Sequence, residues 1–204
     1  MKFKCHQYTW DDIRRLCEKI SKRVKEADFK PDAIVAIARG GWVPARILCD
    51  FLNIRDLYSV KTEHWGMVAT ETGKAKITHP LNVDFSGKNV LVVDDVADTG
   101  ETVELVAQHV RSLNAKEVKI AVIDFKHTSK FEPDFFANKM KEWKWIVYPW
   151  SLREDLRDLI IKIGIRDVKK LKEILEEEYE FFVDEDLIED VLNDEWYEWD
   201  KIQR

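Results

Sequence analysis

One stretch decides the fold of this 204-residue chain: it reads VLVVDDVADTGET from Val90 to Thr102. Four apolar residues that favour β-structure come first, a length typical of a strand that is buried on both faces. Asp94 and Asp95 follow, and a loop of small and polar residues begins at Ala97. After the loop, apolar residues recur at spacings of three and four, which is the period of a helix. The sequence therefore predicts a strand, an acidic pair, a loop and a helix in succession.

The loop in this stretch has the layout of an anion site at the N-terminus of a helix. Free backbone N–H groups and the helix dipole favour a phosphate there. Asp94 and Asp95 lie just before the loop and suit ribose hydroxyls or a hydrated magnesium ion. The alternative is a plain turn in which Asp98 or Thr99 caps the helix, but a turn needs one capping residue rather than this whole run. Glu101 adds a negative charge beside the expected phosphate, and we expect its side chain to point to solvent.

Length, charge and cysteine usage limit the possible classes of protein. The length suffices for one α/β domain with an appendage. The formal net charge of −6 argues against a broad nucleic-acid surface, and no apolar run approaches the ~20 residues of a membrane span. Cys5, Cys17 and Cys49 lack metal-ligand spacing, which favours reduced thiols. We therefore expect a cytoplasmic protein that binds neither nucleic acid nor membranes.

A second junction between a strand and a helix contains two glycines. AIVAIA over residues 33–38 predicts a buried strand, which ends in Arg39, Gly40 and Gly41 before a helix that starts at about Trp42. Glycines allow the backbone to approach a ligand closely at the end of a strand. The planar guanidinium of Arg39 suits a phosphate. The alternative is a tight turn with an arginine on the surface.

These motifs together resemble the phosphoribosyl diphosphate (PRPP) signature of type I phosphoribosyltransferases, which residues 90–102 match at all thirteen positions. The resemblance implies an α/β fold with a doubly wound, mostly parallel sheet. It implies that the loop binds the 5-phosphate, that the acidic pair binds the ribose hydroxyls and Mg²⁺, and that the glycine-containing turn binds the pyrophosphate through a non-proline cis peptide at Arg39–Gly40. The residues implied for PRPP binding are Arg39, Gly40, Gly41, Asp94, Asp95, Ala97, Asp98, Thr99, Gly100, Glu101 and Thr102.

A later part of the chain, residues 126–151, resembles the base-binding segment of the 6-oxopurine branch of this family. A predicted strand over residues 118–125 ends at Lys126, which the resemblance places against the purine O6. Residues 128–141 are interpreted as polar and irregular. The resemblance further implies that Trp145 stacks on the purine and that Ile146 offers its backbone to the edge of the base. The alternatives are a surface role for the lysine and core packing for the tryptophan.

One position in the base-binding segment departs from the pattern of the branch. Ser151 stands where an acidic residue usually follows, and Glu154 and Asp155 come one turn later. The preference among guanine, xanthine and hypoxanthine therefore stays open, and so does a second metal site.

Two further segments complete the organisation of the chain. Residues 62–86 predict a two-stranded flap with a turn at residues 71–73, where the family carries a lid that excludes water from the reacting sugar. Helical periodicity after Ser151 predicts an extension. The expected division is a phosphoribosyltransferase domain over residues 1–150 and a C-terminal helical extension over residues 151–204, similar to some archaeal purine phosphoribosyltransferases. We expect the extension to contribute to a homodimer or homotetramer.

The resemblance implies a purine-salvage enzyme that transfers a 5-phosphoribosyl group from PRPP to a free 6-oxopurine base and releases a nucleoside monophosphate and pyrophosphate. Mg²⁺ neutralises the leaving pyrophosphate in this scheme. Asp98 lies where the family places a carboxylate near the purine N7, which makes it the candidate catalytic base. Two alternatives stay open: a PRPP-binding regulator, and a transferase for adenine or a pyrimidine. Lys126 discriminates between bases, because a cation favours an oxo group over an amino group.

Overall fold

A computed structural model of the chain describes residues 3–65 and 71–194. The described residues divide into two compact units, a larger one of residues 10–65 and 71–143 and a smaller one of residues 3–9 and 144–194. Among these residues, no helix combines the length and the apolar character that a bilayer span requires. The expected domain boundary between residues 150 and 151 stays a prediction.

Eight strands and six helices make up the described part of the chain. In chain order they are β1 (Cys5–Gln7), α1 (Trp10–Glu26), β2 (Ala33–Ala38), α2 (Trp42–Leu52), β3 (Leu57–Trp65), β4 (Glu71–His79), β5 (Asn89–Ala97), α3 (Glu101–Ser112), β6 (Glu117–Lys126), β7 (Phe135–Met140), β8 (Trp145–Val147), α4 (Leu152–Ile163), α5 (Val168–Tyr179) and α6 (Glu185–Leu192).

The larger unit is built on a six-stranded sheet in the order β4-β3-β2-β5-β6-β7. All neighbouring strands are parallel except β3 and β4, so the predicted mostly parallel sheet is confirmed. In the centre of the sheet, Val92 of β5 pairs with Val35 of β2 and with Ile120 of β6. The side chains of all three are fully buried, which explains why these strands appear as continuous apolar runs in the sequence.

Helices cover the sheet and exclude water from its centre. Val90 and Val92 of β5 belong to one buried cluster with Val106 and Val110 of α3. Helix α2 packs on β2 and β5, and α1 packs on α2 and on β6 and β7. Buried residues of α1 recur with helical spacing, as in Ile13, Cys17, Ile20 and Val24. The cores of these layers hold the carboxyl ends of the central strands in fixed positions.

Strand β7 corrects the prediction that residues 128–141 are irregular. Residues 135–140 form an edge strand parallel to β6, with Ala121 paired to Phe135 and Lys126 paired to Met140. Phe135 and Ala137 are buried, whereas Phe136 and Asn138 are half-buried. This alternation is typical of a strand, but it covers few residues, and the polar end of the segment hides it in the sequence.

The predicted turn at residues 71–73 is also wrong. These residues belong to β4, where Glu71 pairs with Trp65 of β3 in an antiparallel ladder. The connection between the two strands therefore falls within residues 66–70, which lie outside the described residues. A glycine at position 73 favours a turn by local preference, but here it lies within β4, where the pairing with β3 shifts register between Glu63 and Trp65. The two-stranded character predicted for this segment is confirmed.

The smaller unit combines a parallel pair of strands with three helices. Strand β1 pairs with β8, with Cys5 opposite Trp145. The predicted helices are confirmed, since α4 ends at Gly164 in a left-handed conformation and the carboxylates of Asp167 and Asp184 cap α5 and α6. Buried apolar residues from the three helices include Leu156, Leu159, Leu171, Leu175 and Ile188. The last ten residues of the predicted extension lie outside the described residues.

Candidate active site

Three predicted motifs lie at one edge of the sheet in the larger unit. Residues 39–41 follow β2, residues 94–102 include the end of β5, and Lys126 ends β6. These strands are neighbours in the order β2-β5-β6 and run parallel, so their carboxyl ends share one edge. That edge is where ligands bind in open α/β sheets. The fold therefore brings together residues that are almost ninety positions apart in sequence.

The two glycines after β2 allow this turn to pack directly against β5. A Cβ atom at Gly40 would lie 2.0 Å from Oδ2 of Asp95. A Cβ atom at Gly41 would lie 2.3 Å from the carbonyl oxygen of Val93 and 2.7 Å from that of Ile37. Only glycine fits such close approaches, which explains both residues by packing. The turn consequently touches the acidic pair.

A non-proline cis peptide bond lies at the end of β2, as predicted in kind but not in position. It joins Ala38 to Arg39, whereas the prediction placed it at Arg39–Gly40. The bond thus immediately follows the last residue of the strand instead of joining two residues of the turn. The side chain of Arg39 is exposed, and the backbone N–H of Trp42 donates to its carbonyl oxygen at 3.2 Å.

Asp94 of the acidic pair is buried, and Asp95 is half-buried. Asp94 is 8 % exposed, and its Oδ1 accepts a hydrogen bond from the backbone N–H of Asp95 at 3.0 Å. Burial, and then the neighbouring Asp95 carboxylate, raises the pKa of Asp94 well above its usual range. Burial raises the pKa of Asp95 to about 7; the nearby Asp124 also raises it, and Lys126 lowers it. Both groups would be stabilised in their charged form by an added cation.

The acidic pair fits Mg²⁺ as a partial set of ligands. In residues 3–65 and 71–194, no group of three or more His, Cys, Asp or Glu side chains is arranged to hold a metal ion. Mg²⁺ usually binds proteins through one or two carboxylates and completes its shell with water and substrate phosphates. Asp94 and Asp95 supply oxygen ligands of this kind, and a bound cation would stabilise the charged forms that burial disfavours.

The loop between β5 and α3 leads into a helix N-terminus that no side chain caps. Gly100 is the N-cap, with a positive φ of 84°, and no side chain caps the helix, so neither Asp98 nor Thr99 is the N-cap residue. The first N–H groups of a helix have no partner within it and point toward any bound anion. The backbone N–H of Glu101 makes a long contact of 3.4 Å to Oγ1 of Thr99. The Glu101 side chain is exposed, as predicted.

Residues 128–130, which follow β6, hold this loop in place through hydrogen bonds. The hydroxyl of Thr128 donates to the carbonyl oxygen of Asp98 at 2.9 Å, and the backbone N–H of Lys130 donates to that of Thr99 at 3.0 Å. A Cβ atom at Gly100 would lie 2.6 Å from Oγ of Ser129. The sequence analysis did not identify these supporting residues. Their position directly after the end of a strand at the ligand edge was the available signal.

Asp98 and Lys126 form a buried ion pair at the centre of the site. The Nζ atom of Lys126, a residue only 2 % exposed, donates to Oδ2 of Asp98 at 2.7 Å. Oδ1 of Asp98 lies 3.0 Å from the hydroxyl of Thr128, whose single proton is shared between this oxygen and the carbonyl oxygen of Asp98. Burial lowers the pKa of Lys126, while Asp98, Asp124 and Asp95 raise it, the first of these most strongly. The burial of Lys126 rules out the alternative of a surface lysine.

Trp143 is a further component of this site that the sequence analysis did not identify. Its indole Nε1 donates to both carboxylate oxygens of Asp98 at 3.1 Å, and its ring centroid lies 4.4 Å from Nζ of Lys126. The available signal was weak, because several of the eight tryptophans were expected to be core residues. Only the three-dimensional structure connects Trp143 to a carboxylate 45 positions away.

Trp145 and Ile146, the other predicted base-binding residues, belong to the smaller unit. Both lie in β8, where Ile146 is buried and Trp145 is half-buried. The indole N–H of Trp145 donates to Oδ1 of Asp155 at 2.9 Å, and the hydroxyl of Ser151 donates to Oδ2 at 2.8 Å. Burial raises the pKa of Asp155 to about 7, although both hydrogen bonds lower it. The acid that follows Ser151 by one turn therefore fixes the orientation of the Trp145 ring.

The cysteines take no part in a nucleophilic site. All three are free and buried. Burial raises the pKa of the Cys5 and Cys17 thiols to about 12, so neither is a thiolate near neutral pH.

Comparisons with known proteins identify the family. Residues 5–155 match the family described as phosphoribosyl transferase domain. The chain is 33 % identical over 154 residues to the xanthine-guanine phosphoribosyltransferase of Ruegeria sp., covering 71 % of this chain and 84 % of that protein. It is 28 % identical over 184 residues to the hypoxanthine-guanine phosphoribosyltransferase of Schizosaccharomyces pombe, covering 72 % of this chain and 89 % of that protein.

The fold agrees with solved structures of this family. The crystal structure of the purine phosphoribosyltransferase from Pyrococcus horikoshii superimposes with a TM-score of 0.62 at 35 % identity, covering 72 % of this chain and 93 % of that chain. The match to the family covers most of the chain, including the three motifs at the sheet edge. The chain therefore belongs to the phosphoribosyltransferase family.

Proposed function

We propose that this protein transfers the 5-phosphoribosyl group of PRPP to a 6-oxopurine, such as guanine, hypoxanthine or xanthine, and forms the nucleoside monophosphate and pyrophosphate. One observation carries the choice of base: Lys126 Nζ and the Asp98 carboxylate lie side by side, 2.7 Å apart. A buried donor next to a buried acceptor complements an oxo group next to a ring N–H. That is the pattern of a 6-oxopurine that carries its proton on N7.

The phosphate loop supports the proposed sugar donor. Asp98 belongs both to this loop and to the ion pair, so this carboxylate lies two to four residues before the N–H groups of residues 100–102. The N–H groups of residues 100–102 begin α3 and suit the 5-phosphate. Asp94 and Asp95 suit the ribose hydroxyls as acceptors. The turn after β2 adds the guanidinium of Arg39 and the close backbone approach at Gly40 for the pyrophosphate, while the N–H of Gly41 donates to the carbonyl oxygen of Ile37.

The charge around the acidic pair supports a requirement for Mg²⁺. PRPP is a polyanion, and the site presents the carboxyl groups of Asp94, Asp95 and Asp124 near the end of β5. Bound with the substrate between these groups and the pyrophosphate, Mg²⁺ would neutralise charge on the leaving group. Asp94 and Asp95 are the residues that we propose to hold it.

The proposed chemistry assigns each step to a residue of this chain. When N9 of the 7H tautomer attacks C1 of the ribosyl group, the bond from C1 to the pyrophosphate breaks and the proton on N7 becomes acidic. The Asp98 carboxylate accepts that proton as general base, and Lys126 donates a hydrogen bond to O6. Trp145 would stack on the purine and the backbone of Ile146 would meet its edge. We further propose a cytoplasmic homodimer or homotetramer with no nucleic-acid partner.

A panel of free bases tests the proposal directly. Purified protein is incubated with PRPP and Mg²⁺, and nucleotide formation is measured with guanine, hypoxanthine, xanthine, adenine and uracil. We expect turnover with at least one 6-oxopurine and at least 100-fold lower kcat/KM with adenine, since an amino group leaves the Lys126 donor unpaired. Turnover with adenine or uracil alone would reject the assignment of the base. PRPP binding without turnover on any base would instead favour a PRPP-binding regulator.

A further inference from the structure

Trp143 contacts both members of the Asp98–Lys126 ion pair at once. Its Nε1 lies 3.1 Å from each carboxylate oxygen of Asp98, and its ring faces Nζ of Lys126 at 4.4 Å from the centroid. The indole is half-buried, and Trp143, Asp98 and Lys126 all belong to the larger unit. No other side chain described above touches both charged groups with two different parts of its surface.

The indole N–H restricts the orientation of the carboxylate. A donor shared between two carboxylate oxygens lies on the bisector of the group, which leaves Oδ2 directed at Lys126 and Oδ1 directed at Thr128. Tryptophan has only two side-chain torsions and is a rigid support once its ring is packed. The carboxylate therefore keeps one oxygen at the place where a substrate proton is to be accepted.

The indole ring restricts the ammonium group of Lys126 in a different way. A lysine side chain has four methylene groups and moves easily, but the negative face of an indole attracts a cation within about 6 Å. At 4.4 Å the ring lies within that range. The ammonium is thereby held beside Asp98, although burial opposes its charge.

We propose that Trp143 is a positioning residue for the transfer reaction, acting on Asp98 through its N–H group and on Lys126 through its ring. The proposal rests on the proposed function, because it assumes that this ion pair meets the purine. When the purine O6 takes over the hydrogen bond from Lys126, Asp98 keeps the donors of Trp143 and Thr128. The general base thus stays oriented while its former partner turns to the substrate.

Two substitutions separate the two actions of Trp143. Trp143→Phe keeps a ring face and removes the N–H group, so kcat should fall about 10-fold, the usual effect of losing a hydrogen bond to a charged group, with KM for the purine nearly unchanged. Trp143→Leu removes both features, so KM for the purine should also rise about 10-fold. KM for PRPP should stay within about twofold of wild type in both variants, which also reports that the phosphate site is folded.

The matched control is Trp10→Phe, the same chemical change at a tryptophan that is 57 % exposed at the start of α1. It should match wild type in all kinetic constants. If Trp143→Phe also matches wild type, or if its losses in kcat and in both KM values track a lowered melting temperature, Trp143 has no positioning role. If the wild-type enzyme uses no 6-oxopurine, the proposed function is rejected, and the role of Trp143 is rejected with it. If the wild type is active on a 6-oxopurine and Trp143→Phe has the same kinetic constants, only the role of Trp143 is rejected.

Discussion

Replacing Gly40 by alanine tests whether the turn after β2 and the acidic pair form one PRPP site. The added Cβ atom would lie 2.0 Å from Oδ2 and 2.4 Å from Cγ of Asp95, whereas ordinary contacts begin at 3.4 Å. The carboxylate must therefore move by about 1.4 Å. It is the end of a side chain and can rotate away, so we expect the fold to survive and the acidic pair to be displaced.

The size of the effect follows from that displacement. A misplacement of about 1 Å in a group that positions substrate can cost about 100-fold in rate. For Gly40→Ala we therefore expect kcat/KM for PRPP to fall about 10- to 100-fold, while KM for the purine changes less than about threefold. Initial rates of nucleotide formation at varied PRPP and saturating purine give the first constant, and the reverse design gives the second.

Two variants make the outcome interpretable. Asp95→Asn keeps the size of the side chain at its present position and removes the charge, so it should reproduce the loss for PRPP without a clash. Gly87→Ala adds a Cβ atom in open space at a positive φ of 76°, so it should cost about 1 kcal/mol of stability and leave PRPP kinetics unchanged. Wild-type kinetics for PRPP in folded Gly40→Ala would refute the placement of pyrophosphate and ribose at this edge.

Three further outcomes are expected. Gly41→Ala sets a Cβ atom 2.3 Å from the backbone oxygen of Val93, which cannot rotate away, so its melting temperature should fall by roughly 10 °C or more; a fall like that of Gly87→Ala contradicts the packing. Lys126→Ala should raise KM for guanine at least about 10-fold more than KM for PRPP, and equal effects would argue against a base contact. Burial raises the pKa of Asp155 to about 7 from 3.8. Between about pH 4 and pH 7 the carboxyl group therefore keeps its proton in the folded protein but loses it in the unfolded chain, so the free energy of unfolding falls as the pH rises through that interval. Asp155→Asn lacks this titration. Its free energy of unfolding, measured with denaturant, should therefore rise relative to that of wild type by on the order of 4 kcal/mol between pH 4 and pH 8. A difference between the two proteins that stays constant with pH would refute the shift in pKa.

The central part of the fold was predictable because its signals are local. The apolar run at residues 90–93, the small loop and the helical spacing that follows are each contained within a dozen residues, and the structure confirms β5, the loop and α3 in that order. Strand β5 continues through Asp94 and Asp95 to Ala97, beyond the predicted end. Backbone pairing with β6 holds this polar end in the sheet, and hydrophobicity alone does not reveal such pairing.

The errors occur where structure depends on distant partners. Strand β7 exists because β6 lies beside it, and β4 includes Glu71 because that residue pairs with Trp65 of β3. The position of the cis bond depends on where β2 stops, which is one residue before Arg39. The contact between Trp143 and Asp98 spans 45 positions and leaves no periodic trace in the sequence. Local patterns predict elements well, but they do not predict which side chains meet.

The raised pKa values at the sheet edge connect the fold to the order of events at the site. Asp94 and Asp95 continue the buried strand β5, and the burial that raises their pKa values leaves a deficit of stabilisation for their charged forms. Lys126 offsets part of this deficit, but it is already engaged with Asp98 at 2.7 Å. PRPP adds negative charge to this edge, and a bound Mg²⁺ would offset part of it. In the proposed scheme, a bound Mg²⁺ would favour the ionised forms of Asp94 and Asp95 and would leave the Asp98–Lys126 pair to the purine base.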